Sequence, residues 1–243
     1  MTKISVIMPL FNAEAHLTET LESYRTNAFP GVELIVVDDG STDRSVEILQ
    51  SAVPDCILLQ QENQGPASAR NRGLRECSGR FVAFLDSDDL WPDGTLQLLL
   101  DTLASSPDAR IAQGKVETFA DGEIAEAMKT RLNPEPFYGV SLASALYYRQ
   151  DLLSLQGFDE RLRFGEDTDL WIRFWEEGFV KQLLPNITLR YRLHQTNMTI
   201  RSASDPRTLL PIMKRHRDRM ASQTSKRQGP IPLTQYLGWE SPR

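Results

Sequence analysis

The sequence predicts an α/β fold, a mostly parallel sheet flanked by helices, with a smaller mixed sheet in its second half. Three observations lead there. Short apolar, β-branched runs alternate with helix-like segments through the first hundred residues, and the runs end in Pro, Asp or Asn rather than in a hairpin dipeptide. The chain has 243 residues, 40% hydrophobic and 25% charged, enough to bury a sizeable core as one large domain or two small ones.

Taken in order, Ile4–Met8, Glu33–Val37, Ile57–Gln60 and Phe81–Leu85 read as strands. Met1–Pro9 is broken by Pro9 too early for a secretory leader and reads as the start of the first strand. Between the strands, Ala13–Thr26 places Leu17, Leu21 and Tyr24 on one face, Thr42–Ala52 follows Ser41 as a cap, and Ala67–Glu76 carries Ala69 and Leu74. Strands and helices alternating at this spacing imply right-handed crossovers and ligands at the C-terminal strand ends. An apolar helix is expected over Thr95–Ala104, then two or three strands of a mixed sheet over 109–145 with a loop at Asn133–Pro136. Thr168–Glu177 is the next helix, with Leu170, Phe174 and either Trp171 or Trp175 facing inward. From Arg201 onward Pro, Ser and Arg accumulate, and this tail is expected to be poorly ordered or peripheral.

The charge is uneven. Residues 1–200 carry 18 Lys+Arg against 30 Asp+Glu, and residues 201–243 carry 9 against 3. An acidic body is a poor partner for nucleic acid, which needs Lys and Arg against its phosphates, but it attracts divalent cations. The basic tail, with Leu209 and Leu210 beside Lys214 and Arg217, suits peripheral contact with an anionic membrane, or else a solvated or partner-bound role. No stretch approaches the ~18 apolar residues of a membrane span. Cys56 and Cys77 are too few for a disulfide framework, which fits a reducing, cytoplasmic setting, peripheral at the inner membrane face if the tail binds there.

Four acidic or polar strand endings carry the chemistry. Asp38 and Asp39 follow a buried strand, and two adjacent like charges there call for a compensating ligand or cation; Asp43 fits a helix cap equally well. Asp86 and Asp88 follow the fourth strand, and on extended backbone their i, i+2 spacing would turn both to one hard cation, Mn2+ or Mg2+. Glu166 and Asp167 lie at a helix start, where the dipole favours the ionised carboxylate that a general base requires; ordinary first-turn acid enrichment is the plain alternative. Asn63–Gly73 sets Arg70 near the same edge. Of the histidines, His16 and His216 have only a structural reading.

Together Pro9-Leu10-Phe11-Asn12, Val36–Asp43, Asn63–Gly73, Asp86-Ser87-Asp88, Gly157-Phe158-Asp159 with Glu166-Asp167, and Arg192-Leu193-His194 resemble the family 2 glycosyltransferases of GT-A fold, over residues 3 to about 200. The resemblance implies transfer of a sugar, with inversion, from a nucleotide-diphospho-sugar donor, usually UDP-linked, to a sugar or lipid-linked hydroxyl acceptor in cell-surface glycan or glycolipid synthesis. It implies that Pro9, Phe11, Asn12, Asp38, Asp39, Arg70 and Asp86 hold the nucleotide sugar. Asp86, Asp88 and His194 would hold the metal, Asp167 would be the base, and Glu166 would orient the acceptor. Residues 1–108 would then be the nucleotide-sugar half, 109–200 the acceptor-binding and catalytic half, and 201–243 a basic tail. The Q-x-x-R-W motif of the processive synthases is missing, so a non-processive bacterial type is the nearer likeness. A nucleotidyltransferase would want a glycine- and lysine-rich loop after the first strand, where Pro9-Leu10-Phe11-Asn12 stands. A binding module without turnover would have no need of Glu166-Asp167.

Overall fold

The structure is a computed structural model and describes residues 4–120, 132–162, 164–195, 197, 206–222, 229 and 231–239. These form a single seven-stranded sheet in the order β3-β2-β1-β4-β6-β5-β7. The parallel half is built from β1 (Ile4–Leu10), β2 (Val32–Asp38), β3 (Ile57–Gln60) and β4 (Phe81–Phe84), linked by α1 (Leu17–Asn27), α2 (Ser45–Ala52) and α3 (Pro66–Glu76). Helix α4 (Thr95–Ser105) leads into β5 (Ala109–Ala120). The short β6 (Ala145–Tyr148) pairs antiparallel with both β4 and β5, and β7 (Val180–Leu193) closes the edge parallel to β5. The expected mixed strands are therefore continuous with the parallel ones in one sheet. Part of the segment expected to hold them, 121–131, lies outside the described residues.

Two cores form because strand side chains alternate between faces. Ile4, Val6 and Met8 of β1 pack with Leu17, Leu21 and Tyr24 of α1 and with Leu96 and Leu99 of α4. Ile7, Ile35 and Val37 face the other way, toward Ala69 and Leu74 of α3 and toward Leu170, Trp171, Phe174 and Trp175 of α6 (Glu166–Glu176), which follows α5 (Arg149–Ser154). Both tryptophans are thus inward. Gly73 lets α3 lie on β1, since a Cβ there would stand 2.5 Å from Ile7.

Helix α2 starts three residues later than its sequence pattern suggested, and Ser41 is not its cap. The Ser41 hydroxyl accepts from the Asn12 N–H (3.1 Å) and the Thr42 N–H donates to Asn12 Oδ1 (2.8 Å), so contacts with the loop after β1 take these groups first. The cap position is Arg44, with no side-chain cap bond, and Asp43, one residue ahead of it, accepts from the Ser45 N–H (2.9 Å) and hydroxyl (2.6 Å).

The tail departs from expectation most. Residues Pro206–Ser222 form α7, packed on α6, and α8 (Leu233–Tyr236) docks behind it with Tyr236 and Leu237 buried. Charge complementarity explains the order. Arg219 reaches Glu176 (2.7 Å) and Asp169 (3.2 Å), His216 reaches Glu176 (2.6 Å), and Arg215 reaches Asp159 (2.7 Å), so part of the basic excess is spent on acids of the body. Residues 201–205 and 223–228 of the tail lie outside the described residues. Among the described residues no helix is long and apolar enough to cross a membrane.

Candidate active site

The C-terminal ends of β1, β2 and β4 bring most of the singled-out residues together. Pro9 lies in β1 and Phe11 just beyond it, its ring 49% exposed. Asn12 takes a positive φ of 47° and staples this loop to the one after β2. Asp38 and Asp39 are both buried, but the expected external compensation is supplied from within. Asp38 accepts from the Ser41 N–H (2.9 Å) and Gln60 Nε2 (3.1 Å). Asp39 accepts from Gln61 Nε2 (2.8 Å) and from the N–H groups of Gln64 (2.9 Å) and Gly65 (2.8 Å). The pair thus shapes the loops on either side of the site, and Gly65 at φ +89° with Pro66 behind it opens α3.

Asp86 and Asp88 do not converge on one point. The strand ends at Phe84 and the chain turns, with the Asp89 N–H on the Asp86 carbonyl at 3.2 Å, so the i, i+2 rule for extended backbone no longer applies. Asp86 turns to Arg70 Nη2 (2.6 Å), and Asp88 to His194 Nε2 (2.9 Å). Of the expected metal set Asp86, Asp88 and His194, only the last two are adjacent, and among the described residues no three His, Cys, Asp or Glu side chains form a metal-holding group.

That pair still suits a cation. Asn197 Oδ1 accepts from the His194 N–H (2.6 Å), which fixes the amide so that Nδ2 donates to His194 Nε2 (3.0 Å). Nε2 has one in-plane lone pair, which here accepts from Asn197; a cation between Nε2 and the Asp88 oxygen that faces it at 2.9 Å would take that lone pair in place of the Asn197 donor. Adjacent donors on an octahedral ion with bonds of about 2.1 Å stand about 3 Å apart, and a carboxylate with an imidazole is a donor set for Mn2+ more than for Mg2+. His16, expected to be structural only, lies against this pair, its ring 4.5 Å from that of His194.

The loop is anchored by two residues that sequence reasoning did not single out for this role. Asp89 is fully buried and accepts from the Arg192 N–H at 2.9 Å; burial, with Asp88 and Asp86 beside it, pushes its carboxyl well above the ordinary range. Arg192 donates through Nε to the Asp88 carbonyl (2.8 Å) and through Nη2 to Glu19 (2.6 Å). The place of Asp89 as the third acid of Asp86-Ser87-Asp88-Asp89 was its only signal. Nothing local marks Glu19.

On the other side, Arg70 Nη1 donates to Glu166 Oε1 at 2.7 Å. Arg70 therefore lies beneath the site, joining Asp86 to the start of α6. Asp167 is next in line. Its carboxyl is pushed up to about 6 by burial, then by the Glu166 charge, against the Thr168 N–H (2.6 Å) and the charge of Arg70. The dipole argument for an easily ionised acid is thus corrected, because burial and a like charge outweigh the helix N-terminus. The raised value still lies below neutral, so the ionised base form is available at pH 7. The 157–160 loop is latched by Asn71, which accepts from the Phe158 N–H (2.8 Å) and donates to its carbonyl (2.9 Å) and to Glu160 (2.8 Å). A cavity of about 710 Å³ behind this loop, lined by Arg75, Arg161 and Arg173 among others, includes none of Asp38, Asp86, Asp88, Asp167 or His194 in its wall.

Residues 5–150 match the family described as Glycosyl transferase family 2. Over 181 residues the chain is 33% identical to the minor teichoic acid biosynthesis protein GgaB of Bacillus subtilis (strain 168), a match that takes in 68% of this chain and 20% of GgaB. The chain thus spans a fifth of that relative's length. The fold is similar to that of S. aureus TarS 1-349 in complex with UDP-GlcNAc, with a TM-score of 0.75 at 22% identity over 97% of this chain and 69% of that one. It is also similar to the mannosyltransferase PcManGT from Pyrobaculum calidifontis in complex with GDP-Man and Mn2+, with a TM-score of 0.66 at 20% identity over 97% of this chain and 67% of that one. The GT-A architecture expected from the motifs is present, and with a family match across more than half its length the chain belongs to glycosyl transferase family 2.

Proposed function

We propose that the chain transfers a sugar from a nucleotide-diphospho-sugar, UDP-linked in our reading, to a hydroxyl acceptor in cell-surface glycan or glycolipid synthesis, by a single displacement with inversion. The observation that carries this reading is the grouping of two separate sets beyond the C-terminal strand ends, the cation-suited pair Asp88–His194 and the chain Asp86–Arg70–Glu166 with the ionisable base Asp167 next to it. Residues 1–108 supply the donor side, 109–200 most of the acceptor side, and 201–243 a basic tail whose helices α7 and α8 pack on α6. The similarity to GgaB supports a cell-surface glycan, and the likeness to a UDP-GlcNAc complex supports a uridine donor.

In this mechanism Phe11 offers an exposed ring face to the base, and Pro9, Asn12, Asp38 and Asp39 hold the two loops that frame it. Asp88 and His194 would hold Mn2+ or Mg2+. A divalent cation there would neutralise the charge that builds on the departing diphosphate. Asp167 takes the proton of the acceptor hydroxyl as its oxygen bonds to the anomeric carbon, while the bond from that carbon to the diphosphate oxygen breaks and its electron pair leaves with the nucleotide. Glu166, held on Arg70, orients the acceptor. A nucleotide-sugar donor supports a cytoplasmic setting for this reaction. Arg215 and Arg219 are engaged by body acids, so a peripheral membrane contact rests on Lys214 and Arg217 beside the exposed Leu209 and Leu210.

Titration calorimetry with UDP, GDP and their sugar conjugates, in Mn2+ and in chelator, tests the donor reading. UDP should bind in preference to GDP and tighten with Mn2+, and Asp88→Asn should abolish the Mn2+ effect while leaving the fold intact. Equal binding in chelator would overturn the metal assignment, and preference for GDP would overturn the uridine donor.

A further inference from the structure

Arg70 stands between the donor and acceptor sides of the site. Its Nη2 donates to Asp86 Oδ1 at 2.6 Å and its Nη1 to Glu166 Oε1 at 2.7 Å, so one guanidinium serves a carboxylate on the loop after β4 and another at the start of α6. Arg70 is 6% exposed, its Nε has no acceptor among the described residues, and the Phe158 ring covers it at 5.7 Å. A side chain so enclosed cannot follow one partner away without uncovering a buried charge. The two acids differ in access: 34% of the Asp86 side chain is exposed against 11% of that of Glu166. An approaching ligand therefore meets Asp86 first, while Glu166 stays with Arg70.

We propose that Arg70 is a charge bridge through which Glu166 tunes how strongly Asp86 engages a nucleoside diphosphate and its cation. The inference rests on the proposed function and takes Asp86, which shares the loop after β4 with Asp88, to lie on its donor side. One positive charge is divided between two acceptors at similar distances. While Glu166 holds part of it, Asp86 keeps negative charge to accept from a ribose hydroxyl or to attract a cation. Removing the Glu166 charge leaves Asp86 as the only carboxylate hydrogen-bonded to Arg70, which then draws it inward. Glu166 is thus a positioning residue for the donor, acting through Arg70, in addition to its place on the acceptor side.

The sign separates this from a plain field effect. Deleting a negative charge near an anionic nucleotide would by itself tighten binding, whereas the bridge weakens it. The test is a double-mutant cycle on the affinity of the full chain for UDP with Mn2+, read by ligand-observed NMR so that millimolar constants remain measurable. Glu166→Gln should weaken binding about tenfold, the scale of one charge-assisted hydrogen bond lost to the ligand, and less than twofold in the Asp86→Asn background. If Glu166→Gln does not fold, Glu166→Asp, which shortens the reach to Arg70 by one methylene, takes its place in the cycle with the same expected sign. Tighter binding, no change, or an equal loss in both backgrounds would overturn the bridge alone. Failure of the wild-type chain to bind UDP with Mn2+ would instead overturn the functional reading on which it rests.

Discussion

Replacing Asp167 by Asn should stabilise the protein at neutral pH while it stops sugar transfer. The carboxyl has an ordinary value of 3.8 and is pushed up to about 6 in the fold, first by burial and then by Glu166. An acid that holds its proton more tightly folded than unfolded costs the native state stability as pH rises from about 4 through 6, and the full cost is present above that range. A shift of about two units corresponds to roughly 3 kcal/mol, trimmed to about 1–3 kcal/mol by the partial solvent access of the side chain. Asparagine carries no charge and its Oδ1 can still accept from the Thr168 N–H, so the variant escapes this cost. In a domain of this size that is a rise in Tm of several degrees at pH 8, fading to nothing near pH 4. Donor binding should remain close to wild type, and the single-turnover transfer rate should fall by roughly 10²–10⁴, the usual span for losing a general base. In the wild type the rate should itself drop about tenfold per pH unit well below 6, as the base becomes protonated. Thermal melts from pH 4 to 8, paired with UDP titrations and single-turnover rates, check all three. A Tm difference that does not change with pH, a variant less stable at pH 8, or transfer at the wild-type rate would each refute the assignment of Asp167 as a partly buried base with a raised carboxyl.

Two further outcomes follow from neighbouring contacts. Asn197→Ala removes the donor that occupies the His194 Nε2 lone pair, so a cation no longer has to displace it and the affinity for Mn2+, read by its electron paramagnetic resonance signal, should rise by up to about tenfold, the scale of one hydrogen bond. Unchanged affinity would mean that the cation does not take this lone pair. Arg219→Ala strips a cation from the buried Asp169 and Glu176; with Arg173 and His216 still in place the cost should be about 1–3 kcal/mol, seen as a lowered urea midpoint with UDP affinity unaltered.

The amino-acid sequence alone determines the parallel half of this protein, because its signals there are local. Apolar runs such as Ile57–Gln60 coincide with their strand, the face carrying Leu17, Leu21 and Tyr24 is the buried face of α1, and the acids expected at the C-terminal ends of β2 and β4 do stand there. Family membership was legible for the same reason: it resides in short motifs whose order survives without any knowledge of contacts. Partner choice is not local. That Arg70 faces Asp86 and Glu166, that Asp86 and Asp88 diverge, and that Asp38 and Asp39 are satisfied by Gln60, Gln61 and the 64–65 backbone depends on which loops the sheet order brings side by side. The tail shows the same division. Its polar composition read as poorly ordered or peripheral, yet Pro206–Ser222 packs as α7 against Asp169 and Glu176, acids on a helix distant in sequence whose burial requires cations that only the tertiary fold could deliver.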